Sequence, residues 1–103
     1  FALEQVLQIT GDRDAYFWAT HAGAELDLMV NWQSRRYGFE FKYGDAPSMT
    51  KSMHTALHDL KLERLFVIHP GKDSYEMNDQ TEAVAIADLR ARLAQAGIGG
   101  RGL

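Results

Sequence analysis

Asp27, Glu40 and Lys42 are the residues of this chain whose types and spacing suit joint chemistry. Magnesium prefers octahedral oxygen coordination at ~2.1 Å and usually takes only one or two protein carboxylates, leaving its other positions to water and substrate phosphate. Asp27 and Glu40 can supply those two. A lysine beside them is a compact point charge that orients or acidifies an attacking water and stabilises charge developing on phosphorus. Together they outline a magnesium-dependent site for phosphodiester hydrolysis.

Two alternating runs must position these groups. Successive side chains of a strand point to opposite faces, so residues two apart share one. In Glu25-Leu26-Asp27-Leu28-Met29-Val30 the apolar face is Leu26, Leu28 and Val30, opposite Glu25, Asp27, Met29 and Asn31. In Tyr37-Gly38-Phe39-Glu40-Phe41-Lys42-Tyr43 the aromatic residues form one face, and Gly38, Glu40, Lys42 and Gly44 the other. If Trp32 to Arg36 reverse the chain, the runs pair as an antiparallel hairpin and the charged stripes become neighbours.

The remaining chain supplies the frame. Phe1, Leu3, Val6, Leu7 and Ile9 have helical spacing, ended by Thr10-Gly11-Asp12. Tyr16 to Ala19 reads as an aromatic strand, with His21 to Ala24 turning into the next one. After Gly44-Asp45-Ala46-Pro47, a helix is expected from Ser48, its candidate cap, to about Leu62, carrying Met49, Met53, Ala56, Leu57 and Leu60 inward. Arg64 to His69 is nearly continuous apolar sequence, the pattern of a strand buried on both faces. Lys72 to Gln80 reads as a polar loop, Ala83 to Ile86 as a last edge strand, and Asp88 as the cap of a helix burying Leu89 and Leu93. A strand–helix–strand unit favours parallel strands and a hairpin antiparallel ones, so the expected fold is α/β, a mixed four- to five-stranded sheet flanked by helices.

Length and composition bound the function. At 103 residues the chain is one small domain, expected over residues 1–96, followed by a Gly-rich tail over 97–103 with four glycines between Gly97 and Gly102. A start inside a helix suggests a domain excised from a longer protein. Apolar content of 46% with 24% charged residues is that of a globular chain. No apolar run approaches the ~20 residues of a bilayer span, and no signal peptide is visible, so a cytoplasmic location is expected. The absence of cysteine excludes thiolate zinc sites and cysteine catalysis. A net charge of −3 means that any nucleic-acid binding must come from a local patch.

The order of elements, with Asp27 followed by Glu40-Phe41-Lys42, resembles the PD-(D/E)XK nuclease superfamily, whose fold is restriction-endonuclease-like with a helix-strand-strand-strand-helix-strand core. More closely, Tyr16-Phe17-Trp18, Gly23 to Leu28 and Phe39-Glu40-Phe41-Lys42 are similar to the domain of unknown function found C-terminal to the ATPase module of many prokaryotic AAA-type ATPases. The likeness covers about residues 1 to 70. It implies Asp27 and Glu40 as ligands of Mg2+ or Mn2+, Lys42 as the catalytic lysine, and Glu4 as a further acidic group brought to the site from the first helix. It also implies a DNA substrate and an N-terminal ATPase module. The superfamily's Pro-Asp pair is absent, since Leu26 precedes Asp27. This departure and the acidic charge motivate an alternative: a catalytically inactive module for DNA or protein interaction, or for self-association as a homodimer.

Other residues carry weaker signals. His54 and His58 share a helix face as paired metal ligands do, yet residue 55 is Thr and no third ligand is apparent. With Lys51 and Lys61 they form a mildly basic stripe, read structurally as the wet face of an amphipathic helix and functionally as a phosphate contact. Arg35-Arg36 at the hairpin tip admit the same two readings. No glycine-rich phosphate loop and no G-x-S-x-G setting for a serine nucleophile is present.

Overall fold

The described residues form six strands and three α-helices, most of them following the apolar periodicity. The computed structural model describes residues 2–44 and 46–99. α1 (Ala2–Thr10) leads into β1 (Ala15–Ala19), β2 (Glu25–Trp32) and β3 (Arg35–Phe41). There follow α2 (Lys51–Asp59), β4 (Arg64–His69), β5 (Tyr75–Asn78), β6 (Thr81–Ala85), a 3-10 turn at Ile86–Asp88, and α3 (Leu89–Gln95). The strands lie in one mixed sheet of order β1-β2-β3-β4-β6-β5. β3, β4 and β6 run parallel to their neighbours within that trio, and the other pairs are antiparallel. Among the described residues no helix is long and apolar enough to cross a membrane.

Each sheet face has its own apolar cluster. On one face α2 places Met53, Ala56 and Leu57 over Leu26, Leu65 and Val67. Gly38 is buried there, and a Cβ on it would meet Leu62 Cδ1 at 2.7 Å, so glycine lets the apolar layer close directly on the strand. On the other face Val6 of α1 and Leu89 and Leu93 of α3 cover Leu28, Val30, Phe39, Phe66 and Val84. Phe39 and Phe66, paired across β3 and β4, stack at a centroid distance of 5.3 Å, a geometry worth about 0.5–1.5 kcal/mol beyond burial. The hairpin between β2 and β3 turns on Gln33 and Ser34 at φ 52° and 70°. Positive φ at both central residues is what a type I′ turn demands, and its twist matches that of the flanking strands.

Several expectations are corrected. The segment 72–80 contains β5, which makes this the sheet edge and places β6, buried along its whole length, inside. The polarity of β5 suits an edge, and its Glu76 belongs to an ion network that locks this corner. Buried Glu82 of β6 accepts from Arg64 Nε and from Arg92 Nε, both at 2.6 Å, while Glu76 accepts from Arg64 Nη2 at 2.6 and 2.7 Å. Helix α2 starts later than expected and is capped by Thr50, whose hydroxyl accepts from Met53 N–H at 3.2 Å, because Pro47 and Met49 are held by Tyr75 and Asn78. Asp88 makes no cap bond and instead accepts from the Ser74 hydroxyl at 2.6 Å.

The stretch expected as a tail begins inside the fold. Gly97, at φ +82°, donates its N–H to Ala94 O, and Ile98 donates to Leu93 O, the paired bonds of a Schellman helix stop. Ile98 is buried in the core, and Trp32 Nε1–H donates to Gly97 O at 3.0 Å. Phe1 in the first helix, Asp45 in the loop after β3 and residues 100–103 of the tail lie outside the described residues.

Candidate functional site

The strict alternation read along Glu25–Val30 breaks at Asp27. Tyr16 pairs with Met29, but Trp18 pairs with Leu26, so Asp27 and Leu28 together oppose Phe17 alone. This is a β-bulge on β2, which inserts one residue and re-aims the chain beyond it. Leu28 and Val30 therefore face α1 and α3, as alternation requires, while Leu26 crosses to the α2 side. The expected common face for Leu26, Leu28 and Val30 is thus corrected. A single inserted residue inverts the face of everything after it.

The bulge coincides with a split in the sheet. Backbone pairing of β2 with β3 ends at Leu28 and Phe39, yet β2 continues to Glu25 on β1, and β3 continues to Phe41 on β4. The strands part, and the N–H groups of Asp27 and Phe41 need acceptors that the ladder no longer supplies. Two carboxylates fill the gap reciprocally: Asp27 N–H donates to Glu40 Oε1 at 3.0 Å, and Phe41 N–H donates to Asp27 Oδ2 at 2.8 Å. Lys42 Nζ lies 3.4 Å from the other oxygen of Glu40, Oε2. The Lys42 main chain is fixed by its N–H donating to Ile68 O at 2.9 Å. Asp27, Glu40 and Lys42 are thus brought together by main-chain bonds across a split, not by the unbroken stripe that alternation predicted.

The electrostatics of Glu40 are strained. The residue is only 8% exposed. Burial pushes its carboxyl above the ordinary glutamate value, and the Asp27 charge pushes the same way; the Asp27 N–H and the Lys42 ammonium offset part of this. A divalent cation shared by Asp27 and Glu40 would relieve both unfavourable contributions. Each carboxylate keeps one oxygen, Asp27 Oδ1 and Glu40 Oε2, outside its main-chain hydrogen bond, which fits the two-carboxylate requirement of Mg2+.

Glu4 does not complete this pair. It is exposed on α1, and among the described residues no three His, Cys, Asp or Glu side chains are grouped to hold a metal. The same helix instead sends Ala2 and Leu3 into the wall of a cavity of about 550 Å3 that opens beside Asp27 and Lys42. Glu25 is exposed at the far end of β2. On α2, Lys51, His54 and His58 are exposed, and His58 meets Asp59 at 3.0 Å; Lys61, expected on the same helix stripe, lies past the helix end at φ 53°. Arg36 is not free at the hairpin, since its Nη1 donates to Leu60 O at 3.2 Å.

His69, which the sequence reading passed over as the last residue of a buried strand, also lines this cavity. Its Nδ1 accepts from Gly71 N–H at 3.0 Å, so Nε2 must carry the proton and donate to Asp73 O at 2.8 Å. The ring braces the loop at residues 70–73 through both nitrogens. A histidine followed at once by Pro70-Gly71 was the available signal, a polar side chain placed to satisfy a tight turn.

A family model for DUF4143, a domain of unknown function, matches residues 1–89. The chain belongs to the DUF4143 family. The bulge, the sheet split, Lys42 and His69 all lie inside the matched DUF4143 stretch. Uncharacterized proteins of Mycobacterium bovis and Mycobacterium tuberculosis are each 42% identical over 84 residues, 82% of this chain and 19% of theirs. The chain therefore spans about a fifth of the length of the curated relatives it matches. No solved structure matches it.

Proposed function

We propose that this DUF4143 domain is a magnesium-dependent phosphodiesterase of the PD-(D/E)XK type that cuts DNA, in a restriction-endonuclease-like fold. It works as the C-terminal part of a longer chain carrying an AAA-type ATPase module. The observation that carries this reading is the interlocked pair of Asp27 and Glu40 at the sheet split, with the Lys42 ammonium 3.4 Å from Glu40. The helix, hairpin, crossover helix and parallel strand around it agree in order with that superfamily. Relatives of which the matched 84 residues are only 19% agree with a domain that acts inside a larger chain.

Bound Mg2+ supplies the positive charge that draws a phosphate to two carboxylates and offsets charge developing on it. Asp27 and Glu40 hold that cation, each kept in register by its main-chain bond. Lys42 orients the attacking water and stabilises charge on the phosphoryl oxygens. The water oxygen bonds to phosphorus as the bond from phosphorus to one sugar oxygen breaks; the water's proton passes to solvent, and the leaving oxygen takes a proton from solvent. The protein incubated with Mg2+ or Mn2+ is expected to nick supercoiled DNA, and Asp27→Ala and Lys42→Ala to abolish the nicking. Equal nicking by both variants would sink the assignment.

A second reading is a noncatalytic module that binds DNA, another protein or its own copy. One specific observation favours it: both carboxylates already serve as acceptors for main-chain N–H groups, a structural role sufficient to explain their presence. Titration calorimetry with Mg2+ separates the two readings. Binding that disappears in Glu40→Gln supports the hydrolytic site, and no heat with wild-type protein supports the module.

A further inference from the structure

We infer that the cavity beside Asp27 and Lys42 receives one unpaired base of a single-stranded DNA segment, stacked against Tyr43, so that the substrate is single-stranded or locally unpaired rather than regular duplex. The inference rests on the hydrolytic reading of Asp27, Glu40 and Lys42 and names the substrate of that same site.

Three observations converge. The cavity lining is mixed: charged Asp27 and Lys42 share it with apolar Leu3, Phe41, Ile68 and Pro70. A nucleotide has the matching character, with a charged phosphate joined to a flat apolar face. At about 550 Å3 the space lies within the usual range for small-ligand pockets, roughly 300–1,000 Å3. Tyr43 follows Lys42 directly, lines the same cavity, and is 97% exposed. An aromatic ring left in water next to a phosphate-facing lysine gains by covering its face, and a base stacked on it does so whatever its identity.

Charge points the same way. Duplex binding depends chiefly on neutralising many phosphates with lysine and arginine. This chain carries a net −3 charge, and the exposed basic stripe of α2 is short. With few basic groups beside the cavity in this chain, stacking is the contribution its lining adds, and stacking requires a base outside the helix. Occupation of the apolar walls by a base sets its phosphate toward Lys42 and the carboxylate pair.

The test is fluorescence anisotropy in Ca2+, with a labelled oligo-dT strand and a duplex of equal length, on wild type, Tyr43→Ala and Tyr43→Phe. Wild type binds the single strand at least about tenfold more tightly than the duplex. Tyr43→Ala weakens single-strand binding roughly 5- to 150-fold, the range for loss of one base–aromatic stack, and Tyr43→Phe restores it. Equal affinity for strand and duplex, or an unchanged Tyr43→Ala, overturns the inference, as does failure to bind either nucleic acid. Mn2+ calorimetry on the same proteins separates this from the hydrolytic reading. Cation binding without a Tyr43 effect overturns the stacking alone, whereas a Tyr43 effect without cation binding supports stacking and sinks hydrolysis.

Discussion

Glu40 offers a perturbation whose two substitutions differ in one hydrogen bond. In Glu40→Ala the part-buried N–H of Asp27 loses its acceptor, at a cost of about 1–3 kcal/mol. The lost contact with Lys42 adds little, because that side chain is 37% exposed and pairs of this kind contribute about 0–1 kcal/mol. In Glu40→Gln the amide oxygen still accepts from Asp27, and the carboxylate that burial and Asp27 both disfavour is gone. Glu40→Gln is therefore expected to be more stable than Glu40→Ala by about 1–3 kcal/mol at every pH. The comparison with wild type depends on pH. A folded-state value raised above the ordinary 4.5 contributes stability that is fully present below that value and lost as pH rises through the folded one. Wild type accordingly matches or exceeds Glu40→Gln in acid and falls behind it toward neutrality. Urea unfolding from pH 4 to 7, with m unchanged between variants, measures this. Equal stability of the Ala and Gln variants would refute the acceptor role. Wild type gaining on Glu40→Gln as pH rises would refute the strain.

Three further outcomes concern the frame. Gly38→Ala places a methyl 2.7 Å from Leu62 Cδ1, 3.0 Å from Leu65 Cδ1 and 3.1 Å from Leu26 Cδ2; it costs about 1–3 kcal/mol in chemical denaturation. Glu82→Ala leaves the guanidinium groups of Arg64 and Arg92 facing a vacated, largely buried position. Because Glu76 still pairs with both arginines, a loss of about 1–3 kcal/mol is expected, with Glu82→Gln milder, and a thermal melt unmoved by Glu82→Ala would show the network to be ornamental. Replacing Gln33-Ser34 by Asn-Gly, types suited to φ 52° and 70°, raises stability by about 1 kcal/mol and leaves cation binding unchanged by calorimetry.

Legibility followed the reach of the interaction that decides each element. The hairpin, the middle of α2 and β4 are set by local periodicity and were found by it; the start of β2, past the bulge, and both ends of α2 depart from it. β5 escaped because its four residues, Tyr75–Asn78, are polar and half-exposed; only pairing with Thr81–Ala85 across the chain makes them a strand. The same pairing turned β6 from an expected edge into an interior strand. Gly97 misled for a related reason, since a glycine-rich run signals a linker by composition, while a helix stop with Ile98 docked in the core is visible only once that core exists. Asp27, Glu40 and Lys42 were found by type and spacing. The bulge that brings Asp27 to Glu40 was not, because the extra residue is defined by Trp18 pairing with Leu26 on a strand ten residues earlier in the chain.

That bulge bears on how the site is to be judged. A sheet that splits at Leu28 and Phe39 must satisfy the N–H groups of Asp27 and Phe41, and the two carboxylates do so. A structural role alone makes Asp27→Asn and Glu40→Gln nearly silent, because an amide oxygen accepts the same bonds. The acceptor role does not itself call for two acids in place of two amides, and the Lys42 contact offsets only part of the burial and repulsion that hold Glu40 above its ordinary value. Asn and Gln would fill the split without that cost. The retained negative charge is then the feature that the fold does not require. Substituting both residues by their amides removes the charge and keeps the bonds. A double variant that folds like wild type and no longer binds Mg2+ assigns the split to the fold and the charge to function.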